Sequence, residues 1–298
     1  MTDFIELFNR IDKLQQDYLI KLVQNTNFIY DNSMERSNIR KNRYSNILPL
    51  EHTSVKLVNS NILSDTNYIN ANYIDFTSNM CKYIAGQAPL PHTFEAFWLM
   101  VLEHKSPVIL MLTGLVENNV RKADQYWPSQ LNETLDLGKI KLILLSENII
   151  ADCNCIERVI KIMFCGIEHT VTQIQYHDWG DMSVASNISD IFKIMFRVEE
   201  LTYLSKSNSR SVVHCSAGVG RTGTFIAIHA LTYILRNGNS LDNNVIINII
   251  IEMRKCRLNM VQNEIQLKYV YDCISYFQQH NYILYGNPTP IQDIKIKD

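Results

Sequence analysis

Cys215 and Arg221 bracket the run HCSAGVGRTG, which sets a sulfur nucleophile, glycines at 218 and 220, and a planar cation within a few residues of one another. A cysteine thiolate can attack phosphorus in line, and a guanidinium fork matches two phosphate oxygens as a lysine cannot. Val212 and Val213 lead in as a short apolar strand, and an apolar helical pattern begins at Thr222. A strand, a glycine-rich turn and a helix start together form an anion cradle: successive backbone N–H groups point inward, backed by the positive end of the helix dipole. The field that holds a phosphate also favours the thiolate, so Cys215 is expected to ionise well below the free value of about 8.5. Taken singly, a cysteine after a strand is a small core residue and a glycine-rich turn is only a turn. The nucleotide-binding pattern G-x-x-x-x-G-K-[ST] is absent. It is the arrival of all these parts in register that points to phosphoryl chemistry.

Hydrolysis of a phosphomonoester also requires a proton for the leaving oxygen. The candidate donor is Asp181 in HDWGDMSV, where Trp179 can anchor a mobile loop and Gly180 can hinge it. The plainer reading of the same residues is a Gly-Asp turn.

These groups need elements to carry them. Helical spacing of Ile11, Leu14, Tyr18 and Leu22 predicts a first helix through about Gln24, a packing element along one side. Residues 25–39 read as polar and irregular, and 42–57 as a loop entering a short strand. Alternation predicts a strand over Tyr68–Ile74, extended chain over Tyr83–Gln87, and a helix from Pro91 with Thr93 as its cap. Val108–Leu112 is an unbroken apolar run suited to a strand buried on both faces. Strands over Lys139–Leu145, Arg158–Phe164 and Thr170–Tyr176 follow, antiparallel because their connections are short. Ser186 is placed to cap a helix carrying Ile188, Ile191, Phe192, Met195 and Phe196, and helices are predicted over Arg221–Leu235, Leu241–Arg254 and Glu264–His280. Early strands and late helices predict one α+β domain with a large mixed sheet.

Composition bounds the rest. The chain has 298 residues, 46% hydrophobic and 19% charged, with a net charge of -2, so it is globular and offers no global attraction to nucleic acid. Small basic clusters at 40–43 and 254–257 are expected to frame an acidic ligand locally. No apolar run reaches the roughly 18 residues that span a bilayer, and the acidic N-terminus lacks the apolar core of a secretory signal. Seven mostly isolated cysteines suit a reducing compartment, and the C-x-C of Cys153 and Cys155 has no second ligand pair at zinc spacing.

HCSAGVGRTG resembles the signature of the phosphotyrosine-specific protein tyrosine phosphatases. The resemblance runs from about residue 42 to 280 through YINANYI, AGQAPLP and DQYWP. It implies a single domain over 1–285, with a highly twisted mixed sheet flanked by helices and a flexible tail at 286–298. In roles carried over by that resemblance, Cys215 is the nucleophile, and Arg221 with the amides of Ser216, Ala217, Gly218, Val219 and Gly220 holds the phosphoryl group. Asp181 is acid and then base. Gln262, with Gln266 as a second candidate, orients the hydrolytic water. Thr222 donates to the departing sulfur, and His214 orients the turn without acting as a base. Glu117 grips Arg221, Lys122 reaches the Asp181 loop, Trp179 anchors that loop, and Tyr44 sets a pocket depth suited to phosphotyrosine.

The chain also departs from the family pattern. Gly180 and Ala185 stand where prolines are usual, Ser183 and Asn259 where glycines are, and Asn46 where an aspartate receives peptide N–H groups. A loop without its prolines loses more entropy on closing, so normal chemistry with lowered turnover and weaker peptide binding is expected. The resemblance implies no cofactor and no metal. It also implies a monomer in the cytoplasm acting on phosphotyrosine-containing proteins, with no nucleic acid or membrane partner. The alternative is a phosphotyrosine-binding pseudo-phosphatase that traps substrates; a dual-specificity phosphatase is disfavoured by Tyr44. The chain is also similar to stand-alone phosphatase domains carried by viruses of parasitoid wasps, which implies a role in host cells. An exposed thiolate at 215 is expected to oxidise reversibly.

Overall fold

Runs such as VILM and SVVH carry no polar alternation, so both of their faces must be covered, and each forms a central strand. The structure, a computed structural model, describes residues 3–26, 29–63, 66–76, 82–205 and 209–285. The predicted tail at 286–298 lies outside them. In chain order the strands are β1 (Ser54–Lys56), β2 (Tyr68–Ile74), β3 (Tyr83–Gly86), β4 (Val108–Met111), β5 (Val116–Glu117), β6 (Val120–Arg121), β7 (Thr134–Asp136), β8 (Ile140–Ile150), β9 (Cys155–Phe164), β10 (Ile167–Tyr176) and β11 (Ser211–His214). The helices are α1 (Phe4–Asn25), α2 (Asp31–Met34), α3 (Phe94–Glu103), α4 (Ile188–Leu204), α5 (Gly220–Arg236), α6 (Asn243–Cys256) and α7 (Glu264–Tyr285).

Nine strands form one mixed sheet in the order β1-β2-β3-β11-β4-β10-β9-β8-β7. The chain is thus an α+β fold with helices on both faces of a single sheet. The four in the middle, β3, β11, β4 and β10, run parallel to one another, and the outer pairs are antiparallel. Parallelism has a direct consequence for function. The carboxyl ends of all four central strands open on one edge, where open α/β sheets bind their ligands. From that edge β3 runs into Gln87 and Ala88, β4 into Thr113 and Gly114, β10 into the Asp181 loop, and β11 into Cys215.

One face of the sheet packs on α4, α5, α6 and α7, and the other on α3 with Trp98, Tyr126 and Trp127. Helix α5 is buried at every residue from Gly220 to Thr232, so the helix that begins at the cradle is also the centre of the larger core.

Several expectations need correction. Residues 25–39 are not wholly irregular, since α2 forms there. The cap of α4 is Asn187, whose side chain accepts from Ser189 N–H; Ser186 instead donates its hydroxyl to the Asp178 carbonyl. Thr93 stands at the N-terminus of α3 but its hydroxyl accepts from Leu90 N–H and so serves the preceding turn. The charged stretch around Glu117 is a hairpin, β5 with β6, turned by Asn118 (φ 48°) and Asn119 (φ 61°). Two consecutive left-handed asparagines are the signal of such a two-residue turn. The β8–β9 hairpin extends to Ile150 and Cys155 because the strands continue pairing past their apolar stretch.

Candidate active site

Residues 215–220 turn tightly between β11 and α5, and the turn depends on Gly218. It has φ +74°, and a Cβ there would lie 2.0 Å from the Gly86 carbonyl oxygen. The cradle therefore rests directly on the backbone at the end of β3, with Ala88 N–H donating to Ser216 O at 3.0 Å. No side chain caps α5, whose first turn carries no acidic residue, and Gly218 N–H points at the Cys215 sulfur from 3.3 Å. Burial alone would raise the thiol pKa. The Arg221 charge, Thr222 and the Gly218 amide outweigh it, and the net shift is downward. Fully buried, the Thr222 hydroxyl makes no well-formed hydrogen bond, yet it lies near enough to the sulfur to favour the thiolate. Cys215 is 5% exposed, which corrects the expectation of an exposed thiolate: it stands at the floor of the cradle.

Arg221 is held from behind. Its two terminal nitrogens meet the two Glu117 oxygens at 2.6 Å each, and one of them also reaches the Leu112 carbonyl at 3.1 Å. Glu117 comes from the β5–β6 hairpin that follows β4, and Thr113 hydroxyl and Gly114 N–H fix its carboxylate in turn. Although burial opposes ionisation, the bonds from Arg221 keep the Glu117 pKa low. Such a bidentate pair presets the guanidinium plane before any ligand arrives.

Asp181 faces the cradle. Its carboxylate lies 2.5 Å from Lys122 Nζ and 3.3 Å from Arg221 Nη2, so the loop from residue 177 to 187 stands closed over the site. Burial pushes the Asp181 pKa up, but Lys122 and Arg221 pull harder and it is lowered. The loop is tied by hydrogen bonds where prolines were expected. Trp179, fully buried, donates from its indole N–H to Ser183 O at 2.9 Å, and Ser183 hydroxyl donates to Gly180 O at 2.8 Å. A Cβ at Gly180 would approach Ser183 Oγ to 2.9 Å, so Gly180 and Ser183 replace the ring as a matched pair. Asn263 fastens the tip by donating to Met182 O at 3.0 Å.

At the mouth, Ser216 hydroxyl donates to Lys122 O at 2.6 Å, leaving its oxygen to accept from Tyr44 hydroxyl at 2.8 Å. Asn46 is exposed beside it. On the opposite side a Cβ on Gly220 would meet the side-chain amides of Gln262 and Gln266 at 3.1 and 3.0 Å, so both glutamines abut the start of α5. Gln266 is buried and accepts from Gln262 N–H at 2.8 Å, a role in shaping the loop. Ala217 and Val219 contribute backbone; Val219 O accepts from Gly223 N–H and Val261 N–H.

His214 is fully buried between a carbonyl and a phenol. The Cys215 carbonyl, 2.9 Å away, can only accept, so Nδ1 carries the proton and Nε2, 2.7 Å from Tyr126 hydroxyl, accepts. Burial lowers its pKa to about 4, so it is neutral and cannot supply charge to the thiolate. Gln173 donates to Tyr126 at 2.8 Å, extending the chain to Arg158.

The expected ligand role of the basic clusters is wrong. Arg43 pairs with Asp124 at 2.6 Å and donates to the Ala88 and Pro89 carbonyls, fixing the loop that carries Tyr44. Arg257, wholly buried, donates to Gly218 O and Ala217 O at 2.9 Å each and to Asn70 and Asn72. By holding those carbonyls outward it turns the cradle's amides inward. The roles of Arg257 and Tyr126 are not legible in the sequence because both act through partners remote in the chain. Among the described residues, no group of three or more His, Cys, Asp or Glu could hold a metal ion.

A family model described as protein-tyrosine phosphatase matches residues 38–276. The chain is 36% identical over 234 residues to human receptor-type tyrosine-protein phosphatase eta, covering 78% of this chain and 17% of that protein. It is 32% identical over 239 residues to human tyrosine-protein phosphatase non-receptor type 2, covering 80% of this chain and 56% of that one. It therefore spans about half, or far less, of the length of these relatives. Among solved structures, the catalytic domain of human protein tyrosine phosphatase non-receptor type 18 superposes with a TM-score of 0.81 at 28% identity, over 92% of this chain and 95% of that one. A structure of the same phosphatase in complex with phospho-peptides superposes at 0.82, over 93% of this chain and all of that one.

Proposed function

The chain belongs to the protein-tyrosine phosphatase family, and on that premise we propose that it hydrolyses phosphotyrosine in proteins through a phosphocysteine intermediate. The observation that carries the reading is the convergence of Cys215 sulfur, the Gly218 amide and a preset Arg221 on one cradle, with Asp181 closed over it. The Cys215 thiolate attacks phosphorus as the bond to the tyrosyl oxygen breaks. Arg221 and the loop amides stabilise the equatorial oxygens, and Asp181 gives its proton to the leaving oxygen. A water beside Gln262 then attacks phosphorus, Asp181 takes a proton from it, and the sulfur leaves as thiolate toward Thr222. The mouth supports tyrosine as the substrate side chain, since Tyr44 stands at the rim and can flank an aromatic ring.

The same proposal includes action as a monomer in the cytoplasm, which the sequence resemblance implies. A role against a host cell's signalling proteins rests on the sequence likeness to wasp-virus phosphatase domains alone. The second reading, a substrate trap, is favoured by the closeness of Lys122 and Arg221 to Asp181, which lowers its pKa and disfavours the protonated form that a leaving group needs. Phosphate release from a phosphotyrosyl peptide separates the two. Steady turnover, with negligible turnover of the matching phosphoseryl peptide, is the expected result. Tight binding with no release establishes the trap, and equal rates on both peptides would reject the tyrosine assignment.

A further inference from the structure

The loop that carries Gln262, residues 257–263 between α6 and α7, has a backbone that its own sequence does not favour. Asn259 has φ +61° and Val261 φ +58°. A β-branched residue in the left-handed region is an outlier that persists only where the surroundings over-determine it. Val261 is fully buried, and the residue after it is Gln262. The restraints are all visible. Arg254 donates from Nε to Met260 O at 2.9 Å and from Nη2 to Val261 O at 2.8 Å, while Val261 N–H donates to Val219 O at 3.2 Å. Gly223 leaves the room: a Cβ there would stand 2.5 Å from Val261 N.

Two of the restraints come from α1, a helix that lies wholly outside the residues matched by the family model. Gln15 is 6% exposed, and it meets Asn259 twice. Its Nε2 donates to Asn259 Oδ1 at 3.0 Å, and its Oε1 accepts from Asn259 N–H at 3.0 Å. One amide thus fixes both the backbone and the side chain of a left-handed residue. One turn earlier on the same face, Asp12 meets Arg254 Nη1 at 2.6 Å and compensates a cation that is otherwise buried. Burying an amide costs free energy unless both of its ends are satisfied, and here both ends are satisfied by this loop.

We infer that Asp12 and Gln15 of α1 are positioning residues for the second chemical step, holding the Asn259–Val261 backbone in the shape that presents Gln262 to the phosphoenzyme. The inference rests on the proposed role of Gln262. It says that an element outside the matched region governs hydrolysis of the phosphocysteine far more than its formation, since the hydrogen bonds of Gln15 and Asp12 go to Asn259 and Arg254 and not to Cys215, Arg221 or Asp181.

The test is rapid-quench measurement of phosphoenzyme formation and decay with a phosphotyrosyl peptide. Gln15→Met keeps length and burial but removes both hydrogen bonds. It is expected to slow decay about tenfold while formation stays within about twofold, so that phosphocysteine accumulates. Asn259→Gly in the same background should restore most of the decay rate, because glycine adopts positive φ without help. Asp12→Asn should act in the same direction, which keeps the test valid should Gln15→Met fold poorly. Loss of both steps in proportion, or no change in either, overturns the inference. A parent chain that binds the peptide but forms no phosphoenzyme overturns the hydrolase reading itself, a separate outcome.

Discussion

The Cys215→Ser chain is expected to bind a phosphotyrosyl peptide at least as tightly as the parent while turnover falls by at least about 10⁴-fold. The field at the cradle floor, built from Arg221, Thr222 and the Gly218 amide, lowers the thiol pKa and so favours its anion. It is not enough to ionise an alcohol, so the serine remains a weak nucleophile. Binding survives because the groups that grip the phosphoryl oxygens are untouched: Arg221 is held by Glu117 and Leu112 O, neither of which involves the sulfur. Removing a negative sulfur from beneath a phosphate dianion also removes a repulsion. Calorimetry with the peptide and a phosphate-release assay check the two halves. If binding and turnover are lost together, the sulfur is holding the cradle in shape and the assignment of Cys215 as nucleophile alone fails.

Asp181→Asn is expected to lower kcat by about 10²- to 10⁴-fold and to abolish the falling limb of the pH profile. The sign follows from the two lowered pKa values. Cys215 must be ionised, so its lowered pKa carries the rising limb to lower pH than a free thiol would set; Asp181 must be protonated, so its lowered pKa carries the falling limb to lower pH than a free carboxylic acid would set. Lys122 is the strongest of the groups that pull the Asp181 pKa down, through its hydrogen bond and charge. Lys122→Ala should move the falling limb of kcat/KM to higher pH and leave the rising limb in place. Comparing variants on one substrate cancels the ionisation of the phosphate. A falling limb that stays put in Lys122→Ala, or survives in Asp181→Asn, would remove Asp181 as the acid.

How much of this was legible in the sequence follows the reach of each interaction along the chain. The cradle is fully legible because strand, turn, glycines and cation are contiguous, and Gly218 reads as a turn residue even without its contact to Gly86. Asp181 and Trp179 were legible as a loop with an anchor. The restraint on that loop was not, since the Ser183 to Gly180 bond depends on a backbone carbonyl direction that composition does not reveal. Arg254 and Arg257 looked like a surface cluster because a sequence shows charges without their counter-ions. Asp12 lies at the other end of the chain from Arg254, and the acceptors of Arg257 are mostly backbone oxygens and amides. The role of Tyr126 in DQYWP is hidden for the same reason: its link to His214 requires β11 to lie beside β4, which only the sheet order supplies.

The exchange of a proline ring for the Gly180 and Ser183 pair bears on how the enzyme responds to warming. A ring restrains a loop by removing open conformations, an entropic effect that heat does not erase. Hydrogen bonds such as Ser183 to Gly180 O and Trp179 to Ser183 O restrain it through enthalpy, and that restraint weakens as temperature rises. Turnover should accordingly reach its thermal optimum and decline below the melting midpoint, and Ser183→Ala should widen the interval between the two. A thermal optimum that tracks the midpoint in both chains would mean that the loop draws its order from elsewhere.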